Sequence, residues 1–151
     1  MKRLLSILLL TSCSVTLPPG DPQWTGDVQG VTIYWRYAVP GELPAGQVEH
    51  ADYLPLGLTC AVRVDPMLSG PSLTRAAAHG AGHCLQARYL LAGFSRPDLP
   101  AYFTDPDEGF AETYAEAYLR ACGGSLRPLG WSDPVPAHCS AAPDPRTVRW
   151  P

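Results

Sequence analysis

Apolar and polar positions alternate most clearly over residues 31–39, Val31-Thr32-Ile33-Tyr34-Trp35-Arg36-Tyr37-Ala38-Val39. A period of two in β-branched and aromatic residues predicts a strand, and Pro40-Gly41 ends it. Residues 47–54 predict a weaker strand. Leu58-Thr59-Cys60-Ala61-Val62-Arg63-Val64 predicts another, stopped by Asp65-Pro66. Two windows free of proline, 72–96 and 107–127, predict the two main helices. The first follows Gly70-Pro71-Ser72 and runs to about Ala92, with Gly93 placed as a C-terminal cap. The second opens on Asp105 as N-cap, Pro106 at the first helical position and Glu108 at the third. It ends at Cys122, before Gly123-Gly124. The expected fold is a small α+β domain over residues 31–124, with a short, mostly antiparallel sheet packed on two helices. Residues 125–151 hold six prolines and read as an extended segment packed on that domain.

The start of the chain reads differently. Lys2 and Arg3 precede the apolar run Leu4-Leu5-Ser6-Ile7-Leu8-Leu9-Leu10, the layout of an export signal. Leu10-Thr11-Ser12-Cys13 resembles a bacterial lipobox. The resemblance implies a signal peptide over residues 1–12 and acylation of Cys13. Residues 13–30, rich in proline and glycine, then serve as a tether. The expected product is an exported lipoprotein, held to a membrane of the cell envelope by its lipid. Export places the domain where disulfides form. Cys60, Cys84, Cys122 and Cys139 are therefore disulfide candidates, and four cysteines allow three pairings.

Composition narrows the function. The 151 residues carry a formal charge of −3 and a single lysine, Lys2, with no basic run. A nucleic-acid partner is not expected. No apolar stretch reaches the roughly 18 residues of a membrane span.

The chemistry is concentrated at His79-Gly80-Ala81-Gly82-His83 in the first predicted helix. Residues four apart share a helix face, so both imidazoles can reach one ion. Two neutral imidazoles at this spacing suit zinc. The segment resembles the zincin metallopeptidases, whose motif is His-Glu-x-x-His on a helix. The strand over 58–64 precedes it, as the substrate-binding edge strand does in that family. Glu108-Gly109-Phe110-Ala111-Glu112 resembles the second-helix motif of the gluzincins. The resemblance implies Zn2+ held by His79, His83 and Glu108, with Glu112 orienting an imidazole from behind. Gly80 departs from the pattern. In zincins that position holds the glutamate that takes a proton from the attacking water. Tyr102, in the loop before the second helix, is a weaker candidate as a donor to an oxyanion.

The implied protein is a zincin-like envelope lipoprotein that binds zinc, is catalytically impaired at Gly80, and takes a peptide or protein ligand as a monomer. Two alternatives stand beside it. One is an active peptidase using another carboxylate, such as Glu112. The other is a metal-free structural or binding lipoprotein. Tyr114 and Tyr118 are expected in the core, and His50 and His138 on the surface. Trp24, Trp131 and Trp150 are expected to pin proline-rich segments to the domain.

Overall fold

The computed structural model describes residues 23–53 and 59–149. The expected signal peptide, Cys13, Leu58 and Trp150 lie outside the described residues. Four strands, β1 (Trp24–Val28), β2 (Val31–Tyr37), β3 (Glu49–Tyr53) and β4 (Thr59–Val64), form one mixed sheet in the order β1-β2-β4-β3. The β1–β2 and β3–β4 pairs are antiparallel and β2–β4 is parallel. Two helices, α1 (Gly70–Tyr89) and α2 (Pro106–Cys122), complete an α+β domain. No helix among the described residues is long and apolar enough to cross a membrane.

Alternation sets which sheet face is covered. Val31, Ile33 and Trp35 of β2 and Cys60, Val62 and Val64 of β4 are buried, joining Ala77, Ala78, Ala81 and Leu85 of α1 in the core. The opposite face carries Arg36, Arg63 and Asp52; Glu42, from the loop after β2, bridges the two arginines, and Asp52 pairs with Arg63. Tyr114 and Tyr118 of α2 are fully buried, as expected.

Three expectations are corrected. Residues 24–28, read as tether, form strand β1. Gln29 and Gly30, both at positive φ (52° and 76°), make a two-residue hairpin turn that matches strand twist. Asp27 Oδ1 accepts from Gly30 N at 3.1 Å. Gly26 marks a close approach, because a Cβ there would lie 2.4 Å from the Leu129 carbonyl oxygen. Second, the strand over 58–64 is not an edge. It pairs with β2 on one side and β3 on the other, so β3 is the edge beside α1. Third, α1 stops at Tyr89 instead of Ala92, with Leu90 in the left-handed cap (φ 51°). Gly93 serves a different contact, since a Cβ there would meet the Pro106 carbonyl oxygen at 2.5 Å. The start of α2 follows its sequence signals: Asp105 accepts from Asp107 N at 2.9 Å and Pro106 opens the helix.

The C-terminal segment is part of the core rather than a cover over it. It contributes Leu126, Leu129, Trp131, Ala142 and Val148 to the buried cluster. Trp131 stacks on Trp24 of β1 with ring centroids 4.3 Å apart, which holds the C-terminal segment against the sheet. Two disulfides settle the pairing the spacing left open. Cys60–Cys84 ties β4 to α1, and Cys122–Cys139 ties the end of α2 to the C-terminal segment. Closing loops of 24 and 17 residues contributes roughly 3 kcal/mol each on the chain-entropy account.

The Glu42 bridge gives the fold a pH signature. Its carboxylate bonds Arg36 Nη1 at 2.7 Å and Arg63 Nη1 at 3.2 Å, and accepts from Val39 N at 2.9 Å. The Arg36 hydrogen bond, opposed by burial, holds the Glu42 carboxyl down to about 2 from its usual 4.5. A depressed folded-state value means this stabilisation is fully present above about pH 4.5 and is lost as pH falls towards about 2. Glu42→Gln is expected to flatten the acid limb of the stability curve across that window. Urea midpoints measured between about pH 5 and 2 check this, and an acid limb as steep as the native one would contradict it.

Candidate metal centre

Helix α1 is built to approach its neighbours closely. A Cβ at Gly82 would meet Ala111 Cα at 2.9 Å and Tyr114 Cβ at 3.2 Å, so glycine is what lets α1 and α2 lie side by side. A Cβ at Gly80, on the sheet side, would meet Val62 Cγ1 at 2.5 Å and Glu49 Oε2 at 2.9 Å. Between these contacts His79 and His83 face the gap between β3 and the start of α2. Glu108 enters from the first turn of α2, where the helix dipole favours a negative charge. A short 3-10 turn, Ala101–Thr104, brings Tyr102 and Phe103 to the same gap.

The two imidazoles stand edge to face with centroids 4.9 Å apart. His79 Nε2 and His83 Nε2 each lie 3.4 Å from the same atom, Glu108 Oε2. On the other side of its ring, His79 Nδ1 lies 3.0 Å from Glu49 Oε1. Glu49, His79 and His83 each offer one ligand atom, and these atoms lie within 4.8 Å of one another. This Glu/His/His group could hold a metal ion. Imidazole nitrogen and carboxylate oxygen together form a donor set for a divalent transition metal.

Hydrogen bonding and charge both test that fit. His79 Nε2, Glu49 Oε2 and Glu108 Oε2 are buried side-chain atoms with no hydrogen-bond partner. Leaving such atoms unpaired costs about 1–3 kcal/mol each, and three of them in one place require a common explanation. A cation bonded by His79 Nε2 and Glu108 Oε2 would satisfy those two and offset the charge of the third, Glu49. The charges agree, because Glu49 and Glu108 bring two negative charges that one divalent ion balances. The same field acts on the neighbouring groups. Burial opposes charging His83, but the Glu108 carboxylate, with Glu49 and Asp107, raises its pKa. Burial would raise the Glu108 pKa, but contact with His83, Tyr102 and His79 lowers it. Tyr102 is pushed well above the usual phenol value, first by burial and then by the facing Glu108 carboxylate. Its hydroxyl therefore stays protonated.

A cleft of about 410 Å³ opens beside His79, lined among others by Val48, Leu68, Arg75, Tyr102 and Phe103. A second depression of about 290 Å³ lies beside His83 and Glu108 and carries Asp105 and Asp107 on its wall.

His79, His83, Glu108 and Tyr102 are thus brought together. Glu112 is placed elsewhere. It is buried in an ion pair with Arg75, and its hydrogen bond goes to that guanidinium, not to an imidazole. The carboxylate on His79 Nδ1 is Glu49, which the sequence reading missed. Its signal was weak: Glu49-His50-Ala51-Asp52-Tyr53 opens with two polar residues, and a glutamate gives no local sign of facing the core. Only the register with Val64 places Glu49 on the covered face. His50 is half-exposed near Asp52 Oδ1 at 3.4 Å. The His138 ring lies beside Gly123, remote in sequence from the centre.

No protein-family model matches the chain, and neither the curated proteins nor the solved structures include a match to it.

The contacts at position 80 reverse a simple helix-propensity expectation. Alanine is better than glycine by about 1 kcal/mol in a helix interior, but here its methyl meets the buried, stiff Val62 and the Glu49 carboxylate. Gly80→Ala is expected to destabilise the protein by about 1–3 kcal/mol through overpacking. Equilibrium urea unfolding measures it, and a stabilised variant would refute the packing argument.

Proposed function

We propose that this chain is a zinc-binding, metallopeptidase-like lipoprotein of the bacterial cell envelope, catalytically impaired at position 80. The observation that carries the reading is the convergence of His79 Nε2 and His83 Nε2 on Glu108 Oε2, each at 3.4 Å. Zinc bonds nitrogen and oxygen at about 2.0–2.2 Å, and tetrahedral angles then separate adjacent ligand atoms by about 3.4 Å. Two imidazoles and one carboxylate are also the protein donor set of catalytic zinc, which keeps a position open.

When bound, zinc supplies a Lewis acid for a peptide carbonyl. His79 and His83 hold it as neutral imidazoles from one face of α1, and Glu108 adds one negative charge from α2. Tyr102 lines the cleft and stays protonated, which supports a role as hydrogen-bond donor to an oxygen of a bound chain. Moving a proton between water and the leaving amine requires a free acid–base group. Gly80 has no side chain, and the Glu112 carboxylate is taken up by Arg75. These observations favour binding of a peptide or protein over its turnover, and they weigh against Glu112 as a substitute base. A metal-free reading leaves the orphaned His79 Nε2 and Glu108 Oε2 of the centre without a reason. The two disulfides fit an oxidising, extracytoplasmic location, and Cys13 is the proposed lipid anchor.

Metal content of the purified full chain tests the reading. About one zinc per chain is expected, lost in His79→Ala. The zinc-loaded chain is expected to leave a library of quenched fluorogenic peptides uncut. Absence of zinc after incubation with it would overturn the metal assignment. Chelator-sensitive cleavage would overturn the impairment.

A further inference from the structure

We propose that Glu49 is the positioning carboxylate of the metal centre, carried by edge strand β3 into the space that a side chain at position 80 would occupy. The inference rests on the zinc-binding reading above and deepens it.

Four observations converge on Glu49. It is only 8% exposed although it lies on an edge strand. Its Oε1 lies 3.0 Å from His79 Nδ1, a hydrogen-bond distance. Its Oε2 lies 2.9 Å from where a Cβ at Gly80 would stand, so a side chain there would push the Glu49 carboxylate aside. The other carboxylate that could orient His79, Glu112, is held by Arg75. A charged residue pointing inward from an edge strand also discourages pairing with another chain. That role needs no partner, whereas the Glu49 carboxylate has a specific one.

The chemistry follows from the imidazole. Nδ1–H donating to Glu49 Oε1 fixes the neutral tautomer in which Nε2 carries the lone pair. Nε2 is the atom facing Glu108 Oε2. Glu49 thus aims His79 at the ion and makes it a more basic ligand, acting through the histidine and not on the ion itself. Gly80 then has a positive role. It admits a carboxylate from the sheet where a helix side chain would otherwise stand. The site that results has its orienting carboxylate on the strand and no acid–base group on the helix.

Zinc affinity of the full chain, measured at one pH by competition with a chromophoric chelator, tests the inference. Four proteins are compared: native, Glu49→Ala, Glu49→Gln and Glu112→Gln. Glu49→Ala is expected to weaken zinc binding about 10–100-fold. Glu49→Gln, nearly isosteric, keeps an amide oxygen that accepts from Nδ1–H and should lose less. Glu112→Gln should bind as the native chain does. In the zinc-loaded state the His79 Nδ1–H proton should be observable by 15N-edited NMR in the native chain and in Glu49→Gln, and exchange away in Glu49→Ala. Zinc affinity of Glu49→Ala within about twofold of native would overturn the inference while the zinc reading stands, as would a loss in Glu112→Gln equal to that in Glu49→Ala. A native chain that takes up no zinc would overturn both.

Discussion

The closeness of α1 to its neighbours is the constraint on which everything else depends. Its sequence is nearly bare of side chains from Ala76 to Gly82, apart from His79. On one side a missing Cβ at Gly82 lets the backbone of α2 in, and on the other a missing Cβ at Gly80 lets in Val62 and Glu49. A helix with longer side chains at these points would stand farther from both elements. His79 and His83 would then still be four residues apart, but neither Glu108 nor Glu49 would reach them. The glycines cost helix propensity, and the packing they permit is what offsets it.

Around that contact the chain adds covalent and ionic restraint. Cys84 follows His83 directly and is tied to β4 by the bond to Cys60, so the histidine-bearing turn is fastened to the sheet. The Cys122–Cys139 bond and the Trp24–Trp131 stack fasten the C-terminal segment to α2 and to β1. A domain this small buries a limited fraction of its surface, and such fastening compensates. At the centre itself the balance is electrostatic. The buried Glu49 carboxylate, the partly buried Glu108 carboxylate and two imidazoles form a group that seeks positive charge, and the raised His83 pKa is one expression of that demand.

Much of this was legible in the residues. Alternation from Val31 to Tyr37 and in Thr59–Val64 marked β2 and β4, because a half-buried strand must show period two. Asp105-Pro106 marked the start of α2, because capping and the fixed proline φ are local effects. The spacing of His79 and His83 follows from helix geometry alone, whereas Glu108 as their partner was an expectation from the motif resemblance. The β1 strand was hidden because glycine and proline around it resembled a linker. The reason for Gly26 lies more than a hundred residues away, in the backbone at Leu129 and Gly130.

What the sequence determined by itself, then, was whatever depends on neighbours within a few residues: strand periods, helix starts, and a histidine pair on one face. What only the tertiary structure decided was which distant groups meet that face. The pairing of β3 with β4 made β3 the edge and turned Glu49 inward beside His79. The position of Arg75 across from α2 drew Glu112 away from the imidazoles. Both outcomes arise from strand register and helix–helix approach, which join segments far apart in the chain and leave almost no trace in local pattern.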